Sequence, residues 1–124
     1  MRLSLPIGLV AASMVLSGAI SFHLTLIDSK PREDAVVAES PSEIWLRFNE
    51  ALDVTKCGIG VRGPDGAVEL AKVALTDSVS MSAKIPAALP PGEYTVSWLG
   101  TPLDDHAVRG RYKFTVGEDG EMPH

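Results

Sequence analysis

Beyond residue 22, apolar side chains recur at every second position, with no sustained spacing of three or four. Side chains two apart in extended chain share a face, so this pattern fits half-buried strands rather than amphipathic helices. The best run is Ser42 to Glu50, with Ile44, Leu46 and Phe48 on one face and Glu43, Trp45 and Arg47 on the other. Glu93 to Leu99 repeats it with Tyr94, Val96 and Trp98. Weaker runs span His23–Asp28, Cys57–Arg62, Ala67–Ala74, Val79–Ile85 and Val108–Val116. Ser29-Lys30-Pro31 is read as the end of the first run, and residues 32–41 as a polar connection turning at Glu33-Asp34. Gly63-Pro64-Asp65-Gly66 is a strong turn, because Pro presets φ and Gly supplies a positive one. About seven short strands in about 100 residues predict an all-β, Ig-like Greek-key sandwich or barrel.

Residues 1–22 are of a different kind. Met1-Arg2 carries one positive charge, Leu3 to Ile20 carries none, and Ser17, Gly18, Ala19 and Ser21 are small. That is the order of a secretory signal peptide. A run of about 20 apolar residues also suffices for a membrane anchor, although Pro6, Ser13, Ser17 and Gly18 argue against one. The expected division is an export signal over 1–22, with an uncleaved anchor as the alternative, and a periplasmic domain over 23–124. Cleavage after Ser21 satisfies the small-residue rule better, while cleavage after Phe22 makes His23 the amino terminus. Both cuts stay open.

Cys57 is the only cysteine, which excludes an internal disulfide and a thiolate cluster for zinc or iron–sulfur. The core must hold without a covalent staple, as about 100 residues can. Net charge is −5, and −6 once Arg2 is removed. Such a domain is a poor partner for nucleic acid, whose phosphates demand a basic face. It is compatible with meeting metal cations.

Between the last two runs lies the turn Leu103-Asp104-Asp105-His106-Ala107-Val108-Arg109-Gly110. Asp104 and His106 are two apart and can converge, while Asp105 points away. Two donors do not make a metal site. Further candidates are His23, after the export signal, and Glu50, at a strand end. Each has a bland reading. Asp104 can cap turn amides, Glu50 can be a solvated strand end, and His124 is a tail residue. Cys57 fits a small buried hydrophobe, and Trp45 and Trp98 fit packing in the core or at its rim.

Several short motifs occur in a fixed order. His23-Leu24-Thr25-Leu26 follows the export signal, then come Ser29-Lys30-Pro31 and Glu33-Asp34. Pro41 to Glu50 reads Pro-x-x-Ile-x-Leu-x-Phe-Asn-Glu, and Gly92 to Trp98 reads Gly-x-Tyr-x-Val-x-Trp. Asp104-Asp105-His106 with Gly110, and Phe114-Thr115-Val116, close the series. In this order and spacing they resemble the CopC family of periplasmic copper-resistance proteins, small β-sandwich copper carriers.

That resemblance implies a Cu(II) site built from the amine and imidazole of the N-terminal histidine with the Asp and His of Asp-x-His. Residue by residue these are His23, Asp104 and His106, and Glu50 stands where some members keep an acid close to the metal. Asn49 replaces the usual Ser, Asp105 a Gly or Thr, and Ala107 a Pro; none of these removes a ligand. Phe22 at the processing site could, by denying His23 the terminal amine. The methionine-rich Cu(I) loop of some members is missing, since residues 23–124 hold only Met81 and Met122. The resemblance therefore points to a Cu(II)-only type, a monomer whose partners are the copper ion and an inner-membrane copper transporter.

The donors themselves agree. Imidazole nitrogen, carboxylate oxygen and a neutral amine suit tetragonal Cu(II), with zinc and nickel bound more weakly. An α-amine, of ordinary pKa about 7.7–8.0, is far easier to deprotonate than a lysine. Binding must release protons and weaken in acid. If Phe22 is the terminus, its amine, the next backbone amide and the His23 imidazole still chelate, in a different geometry. The expected function is non-catalytic copper sequestration or carriage. Two other readings stay open: a copper-dependent redox enzyme using a histidine brace, and an Ig-like interaction module without metal.

Overall fold

The computed structural model describes residues 23–104 and 106–117. Residues 1–22, read from the sequence as an export signal, lie outside them, as do Asp105 and residues 118–124 with Met122 and His124. Two sheets face each other. One has the order β1 (Leu26–Lys30), β3 (Glu43–Phe48), β7 (Ser80–Lys84), β6 (Ala74–Asp77). The other has the order β2 (Val36–Val37), β9 (Val108–Val116), β8 (Gly92–Gly100), β4 (Gly58–Gly63), β5 (Gly66–Ala67). The expected all-β sandwich is what forms, with nine strands among the described residues, two of them only two residues long. A 3-10 turn, Val54–Lys56, interrupts the β structure.

The alternation in β3 buries Ile44, Leu46 and Phe48 completely, and its partner β7 adds Met81 and Ala83. From the facing sheet come Tyr94, Val96, Tyr112, Phe114 and Val116. Two aromatic pairs lock this core. Tyr94 stacks on Phe114 within the second sheet, with centroids 5.5 Å apart. Phe48 meets Trp98 edge-on across the sandwich at 5.0 Å; both geometries suit the ring quadrupole. The Tyr94 hydroxyl donates to the Pro90 carbonyl at 2.6 Å, fastening the connection that enters β8. Trp45 lies half-buried on the outer face, its Nε1 donating to Thr76 Oγ1 at 3.3 Å, with Lys30 over its ring.

Three boundaries differ from the sequence reading. The first strand runs Leu26–Lys30, not His23–Asp28. Its register slips between Leu26 and Asp28, turning Ser29 inward, where its hydroxyl is satisfied by the Pro31 carbonyl at 3.0 Å. The expected hairpin partner Ala67–Ala74 reduces to Gly66–Ala67 after a turn that uses Gly66 at φ +105°. Val68, Leu70 and Val73 pack on the core as the chain crosses to the other sheet, where Ala74–Asp77 becomes the edge strand β6. Apolar alternation in that segment serves a crossing rather than a ladder. Val36–Val37, read as connection, pairs in parallel with Thr115–Val116.

Candidate metal centre

Leu24 is buried, 4% exposed, and plugs one end of the core. It lies against Gly100, where a Cβ would fall 2.6 Å from Leu24 Cδ2. Gly100 pairs with Val108 at the mouth of the β8–β9 hairpin. Burial of a leucine of this kind is favourable by roughly 1.5–3 kcal/mol, so Leu24 holds its neighbour His23 beside the loop that follows Gly100. His23 itself is exposed.

A second tether is polar. Thr25 N–H donates to Asn49 Oδ1 at 2.8 Å, Asn49 Nδ2 donates to the His23 carbonyl at 3.3 Å, and Asn49 N–H donates to the Thr25 carbonyl at 3.1 Å. The His23 carbonyl also accepts from Thr25 Oγ1 at 3.2 Å. The sequence reading registered Asn49 only as a departure from a motif. Its role comes from a carboxamide that donates and accepts at once, and no sequence signal linked it to a residue 26 positions away.

The loop 101–107 has a buried root and an exposed tip. At the root, Thr101 Oγ1 donates to the Lys56 carbonyl at 2.6 Å, and Asp53 N–H donates to the Thr101 carbonyl at 2.8 Å. Leu52 and Pro102 form an isolated bridge, and Leu103 N–H donates to the Ala51 carbonyl at 3.3 Å. Glu50, half-buried, thus stands one residue from the segment that grips the loop. Leu103, Asp104 and His106 are exposed at the tip.

His23, Glu50 and the Asp104–His106 loop are therefore brought by their backbones to the same end of the sandwich. Among the described residues no group of three or more His, Cys, Asp or Glu is close enough together to hold a metal ion.

The surroundings bear on which metal the donors suit. Met81 is fully buried in the core. The Cys57 thiol donates to the Asp53 carbonyl at 3.2 Å and accepts from Thr101 N–H at 3.4 Å. Burial pushes this thiol above its ordinary range, partly offset by the Thr101 amide, so it is a protonated structural group. The exposed donors are imidazoles and carboxylates, a set suited to Cu(II) rather than soft Cu(I). Asp53 accepts from the Thr55 hydroxyl at 2.6 Å, and that bond holds its carboxyl below the usual range. It caps the 3-10 turn.

Residues 26–117 match the CopC domain. The chain is 36% identical over 103 residues to copper resistance protein C of Escherichia coli, covering 76% of this chain and 81% of that one. It is 27% identical over 110 residues to protein YobA of Escherichia coli K12, covering 86% and 89%. Among solved structures it resembles PcoC, a methionine-rich copper resistance protein from Escherichia coli, with a TM-score of 0.70 and 35% identity, covering 77% of this chain and 99% of that one. CopC from Methylosinus trichosporium OB3b gives a TM-score of 0.70 at 27% identity, covering 82% and 100%. By domain match, by identity to a curated relative and by fold, the chain belongs to the CopC family.

Proposed function

We propose that the protein is a periplasmic, non-catalytic Cu(II) carrier that binds the ion as cargo through His23, Asp104 and His106, with Glu50 as a nearby carboxylate. Support comes chiefly from the packing of Leu24 against Gly100, which joins the start of the domain to the hairpin that carries Asp104 and His106. Exposure of the donors suits a carrier that must both load and release. Loading pulls the His23 and loop side chains inward from exposed positions; their backbones need move little, because both are already tethered. An inner-membrane copper transporter is the proposed recipient.

The test is to purify the exported protein, determine its first residue by intact mass, and titrate it with Cu(II) against a competing chelator. One cupric ion per chain is expected, with an electron paramagnetic resonance spectrum of nitrogen and oxygen ligands. His23→Ala, His106→Ala and Asp104→Asn should each weaken binding by about a hundredfold, and His124→Ala should leave it unchanged. Glu50→Gln should have a smaller effect. Full affinity in the His23 and His106 variants overturns the proposal. Ascorbate-driven peroxide formation at turnover rates would overturn its non-catalytic part.

A further inference from the structure

The outer face of the β4–β8–β9 portion is unlike the rest of this acidic chain. Register aligns three rows: Gly58–Leu99–Arg109, Gly60–Ser97–Arg111 and Arg62–Thr95–Lys113. Arg109, Arg111 and Lys113 alternate along β9 on the outward side, because Tyr112 and Phe114 take the inward one. At two residues per outward position, this cationic ridge is about 13 Å long. Arg62 faces it across the floor, about two strand spacings away, or about 10 Å. The floor is Leu99, Ser97 and Thr95 with Gly58 and Gly60, and it is lowest at the two glycines, where a Cβ would meet nothing within 4 Å. The result is a shallow furrow with the cationic ridge along one side and Arg62 across one end.

Acidic groups border it at both ends, with Asp104 in the loop before Arg109 at one and Glu33, Asp34 and Glu93 at the other, and Glu69 is exposed beside β4. Glu93 pairs with Lys113 at 3.6 Å, and Glu33 and Asp34 line a hollow beside Arg111 and Lys113. Among the described residues, Arg62, Arg109 and Arg111 have no carboxylate within ion-pair distance.

We infer that this furrow docks an extended acidic segment of another protein, whose carboxylates pair with Arg109, Arg111, Lys113 and Arg62. Guanidinium forks match carboxylates two-point, and three of the four cations are arginines. β8 is paired on both sides, so a segment lying over it is recognised by side chains; β4 meets β5 only at Arg62 and Gly63. A broad anionic bilayer is a poorer fit. It would press on Glu33, Asp34 and Glu93 at the rim, whereas a single segment can follow the cationic ridge without covering them. The ridge begins three residues after His106, so a docked partner reaches the candidate metal loop. The docking does not depend on the metal reading.

The probe is a fluorescein-labelled octaglutamate peptide, titrated by anisotropy into the domain at low salt. Saturable binding is expected, falling steeply between about 20 and 200 mM salt, with octaglutamine not binding. Arg111→Glu with Lys113→Glu should weaken it about tenfold or more. Arg47→Glu with Lys84→Glu, on the opposite sheet, should change it less than about twofold. Gly60→Val keeps every charge but fills the furrow, and should weaken binding about fivefold; thermal melts establish that each variant is folded. Absence of saturable octaglutamate binding overturns the inference. So does indifference to Gly60→Val, which would reduce the face to diffuse attraction. Preferential binding to phosphatidylglycerol vesicles, abolished by the same charge reversal, would assign the face to a membrane and overturn it equally.

Discussion

The Asn49 side chain grips the backbone of His23: its Nδ2 donates to the His23 carbonyl at 3.3 Å while its Oδ1 accepts from Thr25 N–H at 2.8 Å. One carboxamide at the end of β3 therefore orients the residue proposed to lead the copper site. Asn49→Ala should cost about 1 kcal/mol of stability by urea unfolding, and about fivefold in cupric affinity, because a lost net hydrogen bond is worth that much. An unchanged affinity with lowered stability would make Asn49 structural only.

Gly110 lies beneath the Trp98 indole, and a Cβ there would overlap ring atoms Cζ2 and Cε2. Gly110→Ala must push the ring aside and disturb its edge contact with Phe48. A loss of about 1–3 kcal/mol is expected, with a changed near-ultraviolet circular dichroism spectrum. Gly60→Ala, which meets open space, should stay within about 0.5 kcal/mol.

The Tyr112 hydroxyl is buried without a hydrogen-bond partner. Burial pushes its pKa up to about 12; the nearby Ser29 hydroxyl acts the other way but is itself committed to the Pro31 carbonyl. Below about pH 10 the tyrosine is neutral in both states and the shift leaves stability unaffected; as pH rises from about 10 toward 12 only the unfolded chain readily gives up the proton, so the folded state loses stability. Chemical denaturation should show stability falling by about 2 kcal/mol across this window from Tyr112 alone. Tyr112→Phe should abolish that share of the loss and, by removing an unpaired hydroxyl, leave neutral-pH stability unchanged or higher.

Cys57 should react slowly with Ellman's reagent at neutral pH, since burial raises its pKa and its sulfur is engaged by Asp53 and Thr101. Cys57→Ser should leave cupric stoichiometry at one per chain. A rate matching free cysteine, or loss of bound copper, would show that the thiol takes part in metal binding.

Much of the molecule could be read from local pattern. Ile44, Leu46 and Phe48 declared the inward face of β3, Tyr94 and Val96 that of β8, and Gly63 to Gly66 the turn, because period-two burial and turn chemistry are properties of a few consecutive residues. Donor types at His23, Asp104 and His106 were equally visible, and the proposed preference for Cu(II) rests on them. What only the tertiary structure decided is what meets what. Leu24 against Gly100, Asn49 around His23, the crossing made by Val68, Leu70 and Val73, the parallel pairing of Val36–Val37, and the alignment of Arg62 with Lys113 all join residues far apart in the chain. Such contacts are selected by register and by closing long loops around one shared core, and alternation carries no information about either.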